Sequence, residues 1–245
     1  MSVTDKFTTI AENCQKVYDK GFADGQAQSD SDSDKYRIAL WNGIQNSGTR
    51  TDYQNAFRSW KNAHNYWTPI YDINPTNVSM MFYGFTSDLG LPEVCERAGI
   101  KMDWSKVVAF SQPFSYSAIP DVGVIDTTGA KNLGSILMYA PVKKAHFILK
   151  SDGSQGFNGA FTGADNLTDL TIEGAIGQSF PIPSPLTPES MISVITHLVN
   201  YAGTENEFVN KISFPDDCWE ALESHSTAPD GGSWKDYVEK LGWNT

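Results

Sequence analysis

A period of about 23 or 24 residues in the middle of the chain constrains the fold more than any other feature. Phe110, Leu133, Phe157 and Phe180 head successive units, and Phe114, Leu137 and Phe161 follow four positions after the first three heads. Later in each unit comes a run that is apolar or small at its first, fourth and sixth positions. These runs are Ile119, Val122 and Val124; Val142, Ala145 and Phe147; and Leu167, Leu170 and Ile172. Repetition at this length predicts a solenoid, because one such unit cannot bury its apolar face alone and must stack on its neighbours. Met81 with Phe85 copies the apolar pair, so unit starts are expected at 57, 81, 110, 133, 157 and 180. Two places break the rhythm. The interval after Met81 is longer, and its insert LPEVCERAGIKMDW reads as a helix from Pro92, a good first-turn residue, to a stop at Gly99. The unit that starts at Phe180 is proline-rich (PIPSPLTP), which predicts a bend or interruption.

The flanks read differently. Residues 4–25 form a predicted helix, with Phe7, Ile10, Cys14, Val17 and Gly21 at alternating spacings of three and four. Two readings stand: a stem that makes a homo-oligomer through Phe7, Ile10, Cys14 and Val17, or an amphipathic helix docked on its own domain. An isolated helix of this length is marginal in water, so an exposed one needs partners. Residues 26–35 (QAQSDSDSDK) lack large apolar side chains and form a linker. A calcium loop starting at Asp30 needs glycine sixth and glutamate twelfth, where Lys35 and Trp41 stand. A short helix is expected over 36–46. Tyr53, Phe57, Trp60, Tyr66, Trp67 and Tyr71 then supply either an end plug or a platform for sugar rings.

At the other end, Thr187-Pro188-Glu189 is a helix start, with threonine as N-cap and an acid near the positive end of the dipole. That helix is expected to reach Tyr201, burying Met191, Ile192, Ile195, Leu198 and Val199. A strand over 208–214, a helix from Asp216 or Asp217 to Ser224 and a last helix from Trp234 to Leu241 complete the chain. The expected class is α/β: a leucine-rich-repeat-like solenoid with an N-terminal helix and a helical C-terminal cap. Its parts are residues 1–35 (helix and linker), 36–80 (helical and aromatic N-terminal cap), 81–186 (repeats) and 187–245 (C-terminal cap).

The sequence offers little chemistry. The four histidines, His64, His146, His197 and His225, have no i, i+4 pairing, so no zinc site is expected. Nucleophile-elbow, Walker A, zincin and dinucleotide patterns are missing, and neither catalytic residues nor cofactors are expected. The acids Asp216, Asp217, Glu220 and Glu223 read as helix-start charge and solvated face. Cys14, Cys95 and Cys218 lack C-x-x-C spacing and read as buried thiols. A net charge of −11 argues against a nucleic-acid partner, which needs a basic stripe. No apolar run reaches 18 residues and the N-terminal MSVTDKFTTIAENC lacks a secretory pattern, so no membrane insertion, transmembrane segment or signal peptide is expected.

If the repeats bind something, the strand ladder is the natural surface. Three outward columns are expected: Asp121, Lys144 and Asp169; Gly123, His146 and Thr171; Ile125, Ile148 and Glu173. Lys144, His146, Asp169, Thr171 and Glu173 are the candidate ligand-binding residues, the alternative being an ordinary solvated face.

Leu167, Leu170 and Ile172 fit an L-x-x-L-x-I core, and that core with its period resembles leucine-rich repeats. The Phe-x-x-x-Phe heads at Phe110/Phe114 and Phe157/Phe161 resemble the BspA-like subgroup. The stretches AENCQKVYDKG, SGTRTDYQNAF, YDINPTNVSMMF, DTTGAKNL, DGSQGFNGAF, LTIEGAIGQSF and SWKDYVEKLGWNT resemble proteins encoded by phages and prophages of gut Gram-positive bacteria. The resemblance implies a non-enzymatic structural or adhesive protein, made in the host cytoplasm and placed in a virion tail or fibre. Its implied partners are other virion proteins or a host cell-surface polymer. The alternative it leaves is a bacterial cell-surface or carbohydrate-binding repeat module.

Overall fold

A computed structural model describes residues 52–54, 56–59, 74–98 and 101–245. The proposed stem residues Phe7, Ile10, Cys14 and Val17, the linker, the helix over 36–46 and Trp60, Tyr66, Trp67 and Tyr71 lie outside the described residues.

The described chain mixes helices with small parallel sheets. Strands β1 (Asp121–Asp126), β2 (Lys144–Ile148) and β3 (Asp169–Glu173) form one sheet in the order β1-β2-β3, all parallel. Period-two alternation turns Ala145 and Phe147 of β2, and Leu170 and Ile172 of β3, into the core. In β1 the alternation breaks. The register runs Asp121 to Lys144 and then jumps to Val124 opposite His146, which places a bulge at Val122 and Gly123. Gly123 has φ +75 and its N–H donates to Oδ1 of Asp121 at 2.7 Å. Two expectations are corrected by that extra residue. Val124 is not core but 53% exposed, with Ile125 buried in its place. The outward columns become Val124, His146 and Thr171, and Asp126, Ile148 and Glu173; Gly123 and Ile125 belong to neither.

Before each strand runs a ribbon of tight turns, and hydrogen bonds between ribbons fix their register. Leu133 N–H donates to Gly156 O (2.8 Å), Leu137 N–H to Ala160 O (2.8 Å) and Tyr139 N–H to Thr162 O (2.7 Å). Phe82 N–H likewise donates to Pro113 O (2.8 Å) and Val78 N–H to Ala109 O (3.0 Å). These bonds set Tyr53, Val78, Phe110, Leu133 and Phe157 in one column, and Phe57, Phe82, Phe114, Leu137 and Phe161 in the next. The expected heads Phe57 and Met81 are therefore out of register. Phe57 is the second member of a pair led by Tyr53, and Val78 with Phe82, not Met81 with Phe85, meets Phe110 with Phe114. All these residues are buried, so apolarity alone did not distinguish the two registers. Phe82 stacks between Phe57 (5.1 Å between centroids) and Phe114 (5.4 Å), which supplies aromatic contact beyond simple burial.

After Phe157 the pattern changes. Gly159, Phe161 and Gly163 occupy the positions of Ser135, Leu137 and Tyr139, yet their N–H groups have no acceptor among the described residues. The next chain, β4 (Phe180–Pro181), pairs instead with β5 (Ile212–Ser213), while the Phe180 ring wedges against Phe157 (4.5 Å) and Phe161 (5.2 Å). A space of about 550 Å3 lies among Gly159–Gly163, Pro181–Pro183 and Ser213–Pro215.

Helix α1 (Leu91–Ala98) falls within the insert. Helix α2 (Pro188–Ile195) starts as expected, the Thr187 side chain accepting from Ser190 N–H. It stops at Ile195, well short of Tyr201, and Leu198 pairs with Ile176 as an isolated parallel bridge. Most of 208–214 is not strand: Phe208 and Val209 are exposed in a turn, Ile212–Ser213 form the strand, and Lys211 makes an isolated bridge to Asn244. Helices α3 (Asp216–His225) and α4 (Trp234–Lys240) follow. Parallel pairing continues past residue 186 to the end of the chain, where Ile212 N–H donates to Asn244 O at 2.9 Å.

Helix α2 closes the free edge of β3. Leu170 N–H donates to Ser190 Oγ and Ile172 N–H to Ser193 Oγ, both at 2.9 Å, and Ser190 Oγ–H reaches Thr168 O (3.2 Å). An open edge invites pairing with another chain. Replacing both serines with alanine is expected to cost about 2–4 kcal/mol, because a buried donor without a partner costs about 1–3 kcal/mol. Urea unfolding measures this, and the double variant should also associate more readily in sedimentation.

Candidate functional site

The insert that breaks the repeat lies beside the sheet. Leu91 and Val94 of α1 are buried, and the exposed face carries a Glu93–Arg97 pair at 2.6 Å. A single 3-10 turn, Trp104–Lys106, follows and is capped by Asp103, whose side chain accepts from Ser105 N–H. Hydrogen bonds from the Ser105 hydroxyl and N–H hold the Asp103 carboxyl below the usual carboxylate range. Trp104 is buried against Phe110 (6.2 Å) and Phe114 (6.1 Å), which ties the insert to the aromatic column.

Close approach of α1 to β1 depends on two glycines. A Cβ on Gly123 would stand 2.6 Å from Cγ of Pro92, and one on Gly90 would stand 2.9 Å from the Asp121 Cβ. With both positions bare, α1 together with Met102 and Trp104 walls a cavity of about 530 Å3 over the strand face. Pro92, Cys95, Met102 and Trp104 form its apolar side; Asp121, Val124, Lys144, His146 and Thr171 form its floor. The volume falls within the range of small-molecule sites, about 300–1,000 Å3.

Of the five expected ladder residues, Lys144, His146 and Thr171 face this cavity. Asp169 and Glu173 stand at its margin and hold two of them: Lys144 Nζ lies 3.8 Å from Asp169 Oδ2, and His146 Nε2 lies 2.8 Å from Glu173 Oε1. The first pair is exposed and contributes at most about 1 kcal/mol. The second is close without the alignment of a hydrogen bond, so Nε2, shielded from solvent, has no hydrogen-bond partner. The contact is an ion pair only when the ring is protonated. The Thr171 hydroxyl and the Trp104 indole N–H also lack protein partners among the described residues.

The apolar wall was not legible in the repeat pattern. Its residues belong to the stretch that departs from the period, and only the departure itself marked them. Cys95 is half-buried, and desolvation pushes its thiol up to about 12, so it sits in the wall as a neutral thiol. Burial likewise raises the Cys218 thiol, and Asp217 adds to it. Among the described residues no group of three or more His, Cys, Asp or Glu side chains is placed to hold a metal ion.

Other candidates have structural partners. His197 lies just after α2, its Nδ1 2.6 Å from Ser193 O. His225 Nε2 stands 3.5 Å from Glu189. Glu223, read from sequence as solvated face, instead accepts the N–H groups of Trp234 (2.7 Å) and Lys235 (3.2 Å) at the start of α4. Among the described residues no helix is long and apolar enough to cross a membrane. No family model matches the chain, and no curated protein or solved structure matches it either.

Proposed function

We propose that this protein is a non-enzymatic structural or adhesive protein, a leucine-rich-repeat-like solenoid that binds a surface polymer on its strand face beneath α1. The register of hydrogen bonds from Tyr53 to Asn244 supports the solenoid reading. The binding reading rests on one observation: the stretch that interrupts the repeat encloses a cavity over Lys144, His146 and Thr171. A repeat built only for stacking has no need of that wall. The setting that fits the resemblance is a virion tail or fibre, with other virion proteins or a host cell-surface polymer as partners.

Mass spectrometry of purified virions tests the setting, and absence of the chain removes it. Binding is tested with the Lys144→Ala, His146→Ala, Thr171→Ala triple variant on cells of Gram-positive gut bacteria. Attachment should weaken at least about tenfold, the equivalent of about 1.4 kcal/mol. Full attachment by a folded triple variant would refute the site.

A further inference from the structure

Resting on that binding reading, we infer that the groove takes a neutral, polyhydroxylated ligand: a saccharide segment. Two unused polar groups face or border the cavity, namely the Trp104 indole N–H and the Thr171 hydroxyl, and the unpaired His146 Nε2 lies beside them, already shielded from solvent. Trp104 is only 8% exposed, so its N–H is reached through the groove or not at all. A purely apolar ligand would cover these groups without pairing them, at a cost of a lost hydrogen bond each.

Charge narrows the class further. Among the described residues Lys144 is the one fixed cation of the floor and already faces Asp169, with the Asp121 carboxylate on the same floor and that of Glu173 at the margin beside His146. An anionic ligand would meet three carboxylates against one shared ammonium, on a chain of net charge −11. A cationic ligand would find the Asp169 carboxylate facing Lys144 and the Asp121 carboxylate accepting the Gly123 N–H, which leaves Glu173 at the margin as its partner. Sugar hydroxyls both donate and accept, so they suit a floor that offers both, while the C–H face of the ring packs on Pro92, Met102 and Val124.

Calorimetric titration of the intact protein with cellotetraose, chitotetraose and mannotetraose tests the inference, with trigalacturonate as anion and spermidine as cation. At least one neutral tetrasaccharide should bind. Trp104→Phe, which keeps an apolar ring but removes the N–H, and Thr171→Val should each weaken it about threefold to tenfold. Binding of trigalacturonate or spermidine in place of the neutral sugars would overturn the ligand class and leave the groove standing. So would silence from every probe when the triple variant still loses cell attachment. Neutral sugars that bind the triple variant as well as the native chain would overturn the groove itself.

Discussion

Replacing Trp243 with alanine is expected to destabilise the protein by about 3–5 kcal/mol, the range for losing a buried large aromatic. Trp243 lies two residues from the end of the chain, where side chains are often dispensable, yet it is fully buried. Its indole N–H donates to Val199 O at 2.7 Å and its ring packs 5.8 Å from Tyr201. On both sides the backbone is tied in: Phe208 N–H donates to Gly242 O (2.6 Å), and Asn244 N–H to Asn210 O (3.0 Å). Removing the indole opens a cavity and strips the Val199 carbonyl of its donor together. Trp243→Phe separates the two losses, since it refills most of the volume and should cost about 1–2 kcal/mol. Urea unfolding of both variants checks this. A loss below about 1 kcal/mol for alanine would mean that the last residues are an appendage rather than part of the packed body.

Gly123→Ala should be nearly as damaging, and for a reason that reaches the site. The left-handed φ of +75 costs a non-glycine residue about 1–3 kcal/mol. The added Cβ would also meet Pro92 Cγ at 2.6 Å, and relieving such overpacking costs about 1–3 kcal/mol. The helix is the part that can yield, so α1 should lift from β1 and the groove should lose its wall. A double-mutant cycle with Pro92→Ala tests the mechanism. Pro92→Ala removes the atoms in the clash, so it should recover the steric part and leave the backbone part, a coupling of about 0.5–3 kcal/mol. Strict additivity would show that the two residues do not press on each other. Exchange of the Val94 amide, which donates to Gly90 O at 3.0 Å, reports the lifting of the helix directly.

The sequence carried the repeat well where it was regular and poorly where it was not. Phe110, Leu133 and Phe157 share one column, with Phe114, Leu137 and Phe161 in the next, at the spacing their apolar pattern gave. Upstream, Met81 and Phe85 have the same four-residue spacing as Val78 and Phe82, and all four are buried. Only hydrogen bonds between ribbons choose Val78 and Phe82. Downstream, prolines 181 and 183 announced an interruption, but the new partner of that chain, Ile212–Ser213, lay too far along the sequence for local pattern to name.

The candidate site divides in the same way. The outward positions of β2 and β3 follow from period-two alternation, so Lys144, His146, Asp169, Thr171 and Glu173 were legible from residue order. β1 was not, because a single extra residue at the Gly123 bulge shifts every later side chain to the opposite face. Nor does any local rule place Pro92, Met102 and Trp104 above that ladder. Local spacing determines which residues alternate, pair and cap, because those interactions reach only a few positions along the chain. The groove depends on a helix settling against a strand some 30 residues later, at a distance that two missing Cβ atoms permit, and only tertiary packing decides that.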